Sequence, residues 1–317
     1  MELSIIYVNW NSLDYLRKSI SSVYEHTREA RFEIVVVDNN SPEPGVDSLK
    51  DKFPAITIVH SENNLGFAGA NNLGFQHSIG EYLLFLNPDT ELIAPSVDLL
   101  LARIKELPDS GIVGCKLLNT DLSVQLSSIQ TYPTILNQAL DAEYLRLRWP
   151  GCRLWKIAPL FSDKIDLMKA EIIPGACMMV PREVFEQVGG FSEDYFMYAE
   201  DLDLNYKIRA AGFTNYYVGE TAIIHHGGRS SSRQKVSHWA TIMKYRAMTH
   251  LFRKTRGKLY ALAYRFAMGT VAVVRVAVLA VLFPLGNLVW GRESLKFSLE
   301  KWKAVLRWAV GWQDAVV

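Results

Sequence analysis

Three cysteines in 317 residues, Cys115, Cys152 and Cys177, are too few and too scattered for a disulfide framework. No CxxC pair offers a zinc site either, and the usage fits a reducing compartment. Charge of one sign is also lacking: 34 Lys/Arg against 33 Asp/Glu leave a formal net of +1. The whole-chain balance therefore says nothing about partners; no nucleic acid is expected. There is no internal repeat and no low-complexity tract. The chain opens directly on an apolar, strand-like run, Leu3–Val8, from which no cleaved leader is expected. Nowhere does it hold the uninterrupted stretch of about 20 apolar residues that spans a bilayer.

What charge there is divides unevenly. Residues 241–317 hold 13 Lys/Arg and 3 Asp/Glu, a net of +10, whereas the preceding 240 hold 21 and 30, a net of −9. An acidic body and a basic, apolar tail imply that the tail meets something anionic.

The first hundred residues alternate strands with helices. The runs Leu3–Val8, Ile34–Val37, Ile56–His60 and Tyr82–Leu86 are short, apolar and partly β-branched, as suits parallel strands buried on both faces. Leu13, Leu16, Ile20 and Val23 recur at helical spacing behind Asn11 or Ser12 as the cap. The Gly/Asn-rich stretch 63–72 leads into another short helix. This alternation predicts an α/β fold with a doubly wound, mostly parallel sheet, in which ligands bind beyond the carboxyl ends of the strands. Residues 120–170, with Pro133, Pro150 and Pro159, lack a period and read as a variable segment at the rim of the site. A helix is predicted from Glu200 to Ala211, closed by Gly212.

The strand ends carry the chemistry. Asp38 ends the second strand, where a carboxylate can accept hydrogen bonds from a base or ribose, although Asp and Ser also shape turns for their own sake. Asp89 follows the fourth strand behind Asn87 and Pro88. It can serve a hard divalent cation bridging to diphosphate, or cap the helix that begins near Pro95. From Gly189 to Leu204, carboxylates alternate with aromatics, a mixture that binds sugars. Glu200 and Asp201 open the helix, where the macrodipole favours negative charge, and Glu193, Asp194 and Asp203 have no more than that role. His225 and His226, followed by Gly227, Gly228 and Arg229, place imidazole and guanidinium where a metal or phosphate could be reached.

In this order the segments Ser4–Asn11, Val36–Ser41, Asn64–Asn72, Leu86–Asp89, Gly175–Met179, Gly189–Phe191, Tyr198–Leu204 and His225–Ser230 resemble the family 2 glycosyltransferases with the GT-A fold. The likeness is greatest to their rhamnosyltransferase-like branch and covers residues 1–235. It implies a nucleoside-diphosphate-sugar site at Asn9, Asp38, Asn64, Gly66, Asn71, Asn87 and Asp89. It also implies an acceptor site at Gly190, Phe191 and Tyr198. The acidic pair Glu200–Asp201 matches the catalytic pair whose second member is the base. Asp89 and His225 match the metal-holding positions for Mg²⁺ or Mn²⁺, with His226 the lesser candidate. Asn87-Pro88-Asp89 stands where other members have Asp-x-Asp, so only Asp89 keeps the carboxylate. The implied domains are a catalytic domain over 1–240, its nucleotide-sugar half 1–118 and its acceptor half 119–240, and a helical tail over 241–317.

The implied reaction is an inverting transfer in which Asp201 takes the acceptor hydroxyl's proton at a near-normal pKa. Rhamnose from a deoxythymidine-diphosphate donor is the favoured sugar, a uridine-diphosphate sugar the alternative, and a lipid-linked saccharide the expected acceptor. A nucleotidyltransferase would want a glycine-rich basic loop where Asn9-Trp10-Asn11 stands. A non-catalytic binding module would not be expected to keep Asp38, Asp89, Asp201 and His225 together.

In the tail, Arg265 and Arg275 interrupt the apolar run, and Pro284 and Gly286 lie in the stretch after Arg275. A second amphipathic stretch sets Leu295, Leu299, Trp302, Leu306 and Trp308 among Lys296, Lys301, Lys303 and Arg307. Peripheral attachment to the cytoplasmic face of a membrane is expected, with packing on the body or a homodimer contact as the competing use. A chain ended near Arg256 is expected to stay soluble.

Overall fold

The structure, a computed structural model, describes residues 1–162, 164–227, 238–283 and 292–312. Gly228, Arg229 and Ser230 of the histidine–glycine motif, and Pro284 and Gly286 of the tail, lie outside the described residues. The chain forms two compact units, one of Met1–Tyr132 with Glu143–Arg233, the other of Pro133–Ala142 with Gln234–Val317.

In the first unit the four apolar runs become β1 (Leu3–Asn9), β2 (Phe32–Asp38), β3 (Thr57–His60) and β4 (Tyr82–Leu86). They pair in parallel in the order β3-β2-β1-β4. Strand alternation sends Leu3, Ile5 and Tyr7 to one face of β1 and Ile6 to the other. Helix α1 (Leu13–His26) and, later in the chain, α4 (Ser96–Glu106) bury Leu16, Ile20, Val23 and Leu100 on the first face. A short α2 (Leu49–Lys52) precedes β3, the edge strand, which is only half covered and not buried on both faces as expected. Helix α3 (Gly66–Gln76) begins inside the Gly/Asn-rich stretch rather than after it. It covers the second face together with α7 (Arg182–Gln187) and α8 (Glu200–Ala210).

The sheet continues with β5 (Thr90–Leu92), β6 (Ser110–Leu118), β7 (Leu167–Ala170), β8 (Cys177–Pro181) and β9 (Thr214–His225). Its order is β3-β2-β1-β4-β8-β6-β9-β5, with β7 also on β9. Strand β8 is antiparallel to β4 and β6, while β9 is parallel to β6 and antiparallel to β5 and β7. Within residues 120–170, α6 (Glu143–Arg148) is followed by Trp155, Ile157 and Leu160, which are buried in the core of the second face. That part of the aperiodic segment is core rather than rim, because three large apolar side chains outweigh the absence of a period.

The second unit holds α5 (Ile135–Ala139), α9 (His238–Arg256), α10 (Lys258–Leu282) and α11 (Arg292–Ala309). Ala261, Tyr264, Met268 and Ala272 of α10 pack with Phe252 of α9 and with Val305 and Trp308 of α11. Two expectations about the tail change here. The arginines do not break the apolar helix, which runs straight through both. Arg265 donates to the carbonyls of Ala309 (3.1 Å) and Trp308 (2.6 Å) and lies over the Trp308 ring, while Arg275 lies over Trp302, 4.9 Å from its centroid. The apolar stripe of α11 is also spent inside the unit, with Leu295 and Trp308 each 1% exposed. A chain ended near Arg256 would lose α10 and α11 and uncover Ile242 and Phe252 of α9, so that cut does not leave a well-packed product.

Candidate active site

The carboxyl ends of β1, β2 and β4 open on a cavity of about 260 Å³ lined by Val8, Trp10, Ser12, Asn39, Asn64, Gly66, Phe67, Asn71, Leu86, Asn87, Pro88, Asp89, Met197 and His225. A larger open groove of about 520 Å³ lies along α1 between Arg17 and Lys52, away from these strand ends. The smaller cavity is the candidate site, since it alone occupies the position where parallel α/β sheets bind ligands.

Of the residues singled out by sequence, Asn64, Gly66, Asn71, Asn87, Asp89 and His225 line the cavity. Although their neighbours Val8, Trp10 and Asn39 line it, Asn9 and Asp38 do not. The parallel register pairs them, and Asn9 Nδ2 donates to Asp38 Oδ1 at 2.8 Å, which holds the carboxylate at the strand end. Asn39 donates to Asn64 Oδ1 (3.0 Å) and accepts from Leu65 N (2.8 Å), so β2 fixes the entry to α3. Gly66 has φ +70°, and a Cβ there would stand 2.2 Å from Phe196 O; only glycine allows the 192–199 loop to approach α3 this closely.

Asp89 does not cap the helix after Pro95, which starts at Ser96 without a side-chain cap. It faces His225 instead, because antiparallel pairing sets Thr90 of β5 opposite His225 of β9. His225 Nε2 lies 3.4 Å from Asp89 Oδ1 and 3.3 Å from Asn87 Nδ2. Its Nδ1 lies 3.0 Å from Gln125 Oε1, and Gln125 Nε2 donates to the His225 carbonyl. With Nδ1–H given to Gln125, the Nε2 lone pair points at a carboxylate, an arrangement that a cation between them would satisfy. Two neighbouring ligands of an octahedral ion at about 2.0–2.1 Å stand about 3 Å apart, so the spacing fits. Among the described residues no cluster of three or more His, Cys, Asp or Glu gathers at one point. Two protein ligands, with the remainder left to diphosphate and water, is what a Mg²⁺-like ion commonly takes. His226 turns to the opposite side, 3.2 Å from Glu91 Oε2 and 3.0 Å from Thr120 Oγ1.

Helix α8 carries the acidic pair. Gly175 N donates to Asp201 Oδ2 (3.0 Å) and Leu202 N to Oδ1 (2.8 Å). Burial outweighs these bonds and raises the Asp201 carboxyl above the usual range, contrary to the near-normal value expected. Glu200 is 7% exposed with Oε2 lacking a partner, and burial, then the Asp201 charge, pushes it up to about 8. The pair does not line the cavity but adjoins it: a Cβ on Gly175 would meet both Asp201 Cβ and the cavity residue Phe67 at 3.4 Å. Tyr198 and Ala199, just ahead, have φ of 70° and 67°, strained for residues with side chains.

Two acceptor assignments need correction. Phe191 is 2% exposed and packs against Phe67, Phe85 and Phe185, which spends its ring on the core. Gly190 is a backbone necessity at φ +65°, hemmed by Asn72 and Phe185. Asp203, given only a helix-start role by sequence, is 1% exposed and accepts from Ser192 and Tyr195, tying down the loop before α8. Sequence singles out neither Gln125, which lies in the aperiodic segment, nor Met197.

Residues 4–189 match the family described as Glycosyl transferase family 2. An N-acetylglucosaminyl-diphospho-decaprenol L-rhamnosyltransferase of Mycobacterium tuberculosis is 28% identical over 251 residues, 75% of this chain and 80% of that protein. The O-antigen biosynthesis protein RfbC of Myxococcus xanthus is 28% identical over 256 residues, 77% of this chain, which spans only 19% of that longer protein. A solved mannosyltransferase from Pyrobaculum calidifontis, in complex with GDP-Man and Mn²⁺, superposes with a TM-score of 0.61 at 18% identity over 99% of this chain and 88% of its own. With a matching sheet and a family match over more than half its length, the chain belongs to glycosyl transferase family 2 and has the GT-A fold.

Proposed function

We propose that the protein transfers a sugar, rhamnose in the best-supported case, from a nucleoside diphosphate to a hydroxyl of a lipid-linked saccharide, with inversion at the anomeric carbon. The observation that carries this reading is the meeting of Asp89 and His225 in the lining of the cavity at the strand ends, which the acidic pair Glu200–Asp201 adjoins. The sugar and the lipid-linked acceptor rest on the M. tuberculosis relative, whose own acceptor is named as a decaprenol diphosphate-linked sugar.

Asp38 and Asn64 hold the nucleoside end in place. Asp201, made more basic by burial, takes the proton of the attacking hydroxyl as the bond to the anomeric carbon forms, and Gly175 N and Leu202 N keep its carboxylate aimed. Asp89 and His225 would hold a divalent cation, Mg²⁺ or Mn²⁺, which neutralises charge on a leaving diphosphate. A peripheral position at the inner face of a membrane would bring the site to such a lipid-linked acceptor.

The test is turnover of purified protein against a panel of deoxythymidine- and uridine-diphosphate sugars. Asp201→Asn should lower turnover about 10²–10⁴-fold with donor affinity little changed. If Asp201→Asn stays near wild type while Glu200→Gln is inactive, the base is assigned to the wrong member of the pair. Absence of turnover or hydrolysis of any donor would remove the transferase reading.

A further inference from the structure

Helix α10 combines a well-packed inner face with an outer face that is almost uniformly apolar. Its 25 residues reach about 37 Å at 1.5 Å per residue. Leu259, Leu262 and Phe266, then Val274, Val278 and Val281, recur at three- and four-residue spacing on either side of Thr270, and the largest are bare: Leu259 is 84% exposed, Phe266 78% and Val281 73%. Among the exposed side chains of α10 only those of Lys258 and Thr270 are polar. Its two internal charges, Arg265 and Arg275, are turned away from this stripe onto Trp308 and Trp302. A soluble monomer rarely carries so long an apolar strip in water.

Three occupants could cover it, and charge and packing separate them. A transmembrane path suits the length and hydropathy of α10. It would, however, draw α9 and α11 into hydrocarbon with Arg253, Lys254, Lys296 and Lys303, or strip them away and uncover Tyr264, Met268 and Ala272. A second copy would bring together two segments that each carry a net +10 between residues 241 and 317. An anionic lipid surface has the complementary sign. Exposed Arg253, Lys254, Arg256 and Lys258 sit at the α9–α10 turn, directly beside Leu259, where headgroups would lie.

We propose that α10 lies in the plane of an anionic bilayer, its Leu259–Val281 stripe in the acyl boundary and the Arg253–Lys258 cluster against the headgroups. This deepens the membrane part of the reading above and stands apart from the transferase part. It assigns the embedding to α10 rather than to α11, whose apolar face is already consumed.

The full chain is tested by co-sedimentation with vesicles of phosphatidylcholine alone and of phosphatidylcholine with phosphatidylglycerol, at low and high salt. Wild type should bind the anionic vesicles and be partly released by salt. The double variant Phe266→Glu/Val274→Glu, altered only at exposed positions, should lose roughly a hundredfold in affinity, the loss of two buried apolar side chains. Its melting and donor hydrolysis should match wild type. If wild type also hydrolyses no donor, the transferase reading fails while the vesicle result keeps its meaning. Failure of wild type to bind anionic vesicles, or unchanged binding by the double variant, overturns the proposal. So does a dimer in sedimentation velocity that the double variant dissociates without loss of vesicle binding. Membrane-bound protein released only by detergent would indicate a span, and overturn it equally.

Discussion

Asn205 offers the sharpest test of how the fold aims the base. It is fully buried on α8, four residues beyond Asp201. Its Oδ1 accepts from Ile173 N (2.9 Å) and Asn215 Nδ2 (2.9 Å), and its Nδ2 donates to Ile173 O (2.8 Å) and Asp201 O (2.7 Å). One side chain thus grips both the backbone of the base and the segment whose Gly175 N donates to the Asp201 carboxylate. Asn205→Ala leaves two buried donors, Ile173 N and one hydrogen of Asn215 Nδ2, without partners. At about 1–3 kcal/mol each the loss is roughly 2–6 kcal/mol. A domain of about 5–15 kcal/mol total stability can remain folded through that. Freed of the clamp, the 173–175 segment should relax and misdirect the carboxylate, for about a tenfold to hundredfold fall in turnover. The assays are denaturant melts for stability, calorimetry for donor affinity, and steady-state turnover at saturating donor. Donor Kd should hold within about twofold, because Asn205 does not line the cavity. A variant that loses the stability but keeps wild-type turnover would refute the positioning argument and leave Asn205 a purely structural clamp.

Other predictions follow from the same site. Because the folded pKa of Glu200 is raised, the folded chain holds its proton more tightly than the unfolded chain, and that stabilisation is lost as pH rises from about 4.5 to about 8. Glu200→Gln should therefore gain melting temperature over wild type progressively across pH 5–8; parallel curves would contradict the burial of that charge. Chelation should abolish turnover, with Mg²⁺ or Mn²⁺ restoring it. Gln125→Ala should raise the metal concentration needed about 10–100-fold by freeing the His225 tautomer. Sensitivity at His226→Ala with none at His225→Ala would place the ligand on the wrong histidine. Gly66→Ala should weaken donor binding and cost about 1–3 kcal/mol, since it sets a Cβ against Phe196 O at a left-handed φ. A variant with wild-type melting and donor Kd would show that the loop does not need that close approach.

Local pattern alone was enough to place β1, β2 and β4, the helix opening at Glu200 and the carboxylates at the strand ends. Strand alternation, helical periodicity and turn chemistry act over a few residues, so they are written in the order of the chain. Asp38 and Asp89 follow apolar runs directly, and the rule that ligands sit at the carboxyl ends of such strands needs no tertiary contact. Which histidine meets Asp89 was decided by the β5–β9 register, a pairing between residues 90 and 225 that no local signal encodes. Gln125 and Asn205 act through partners far along the chain, and their own surroundings in sequence carry no period or motif to mark them. Phe191 reads as a sugar platform in sequence but is claimed by the aromatic core, since burying a ring there outweighs presenting it to solvent. The tail shows the same division: periodicity marks α10 and α11 alike as amphipathic. Only packing determined that α11 spends its apolar face on the bundle, that Arg265 and Arg275 turn inward onto tryptophan rings, and that α10 keeps its stripe exposed.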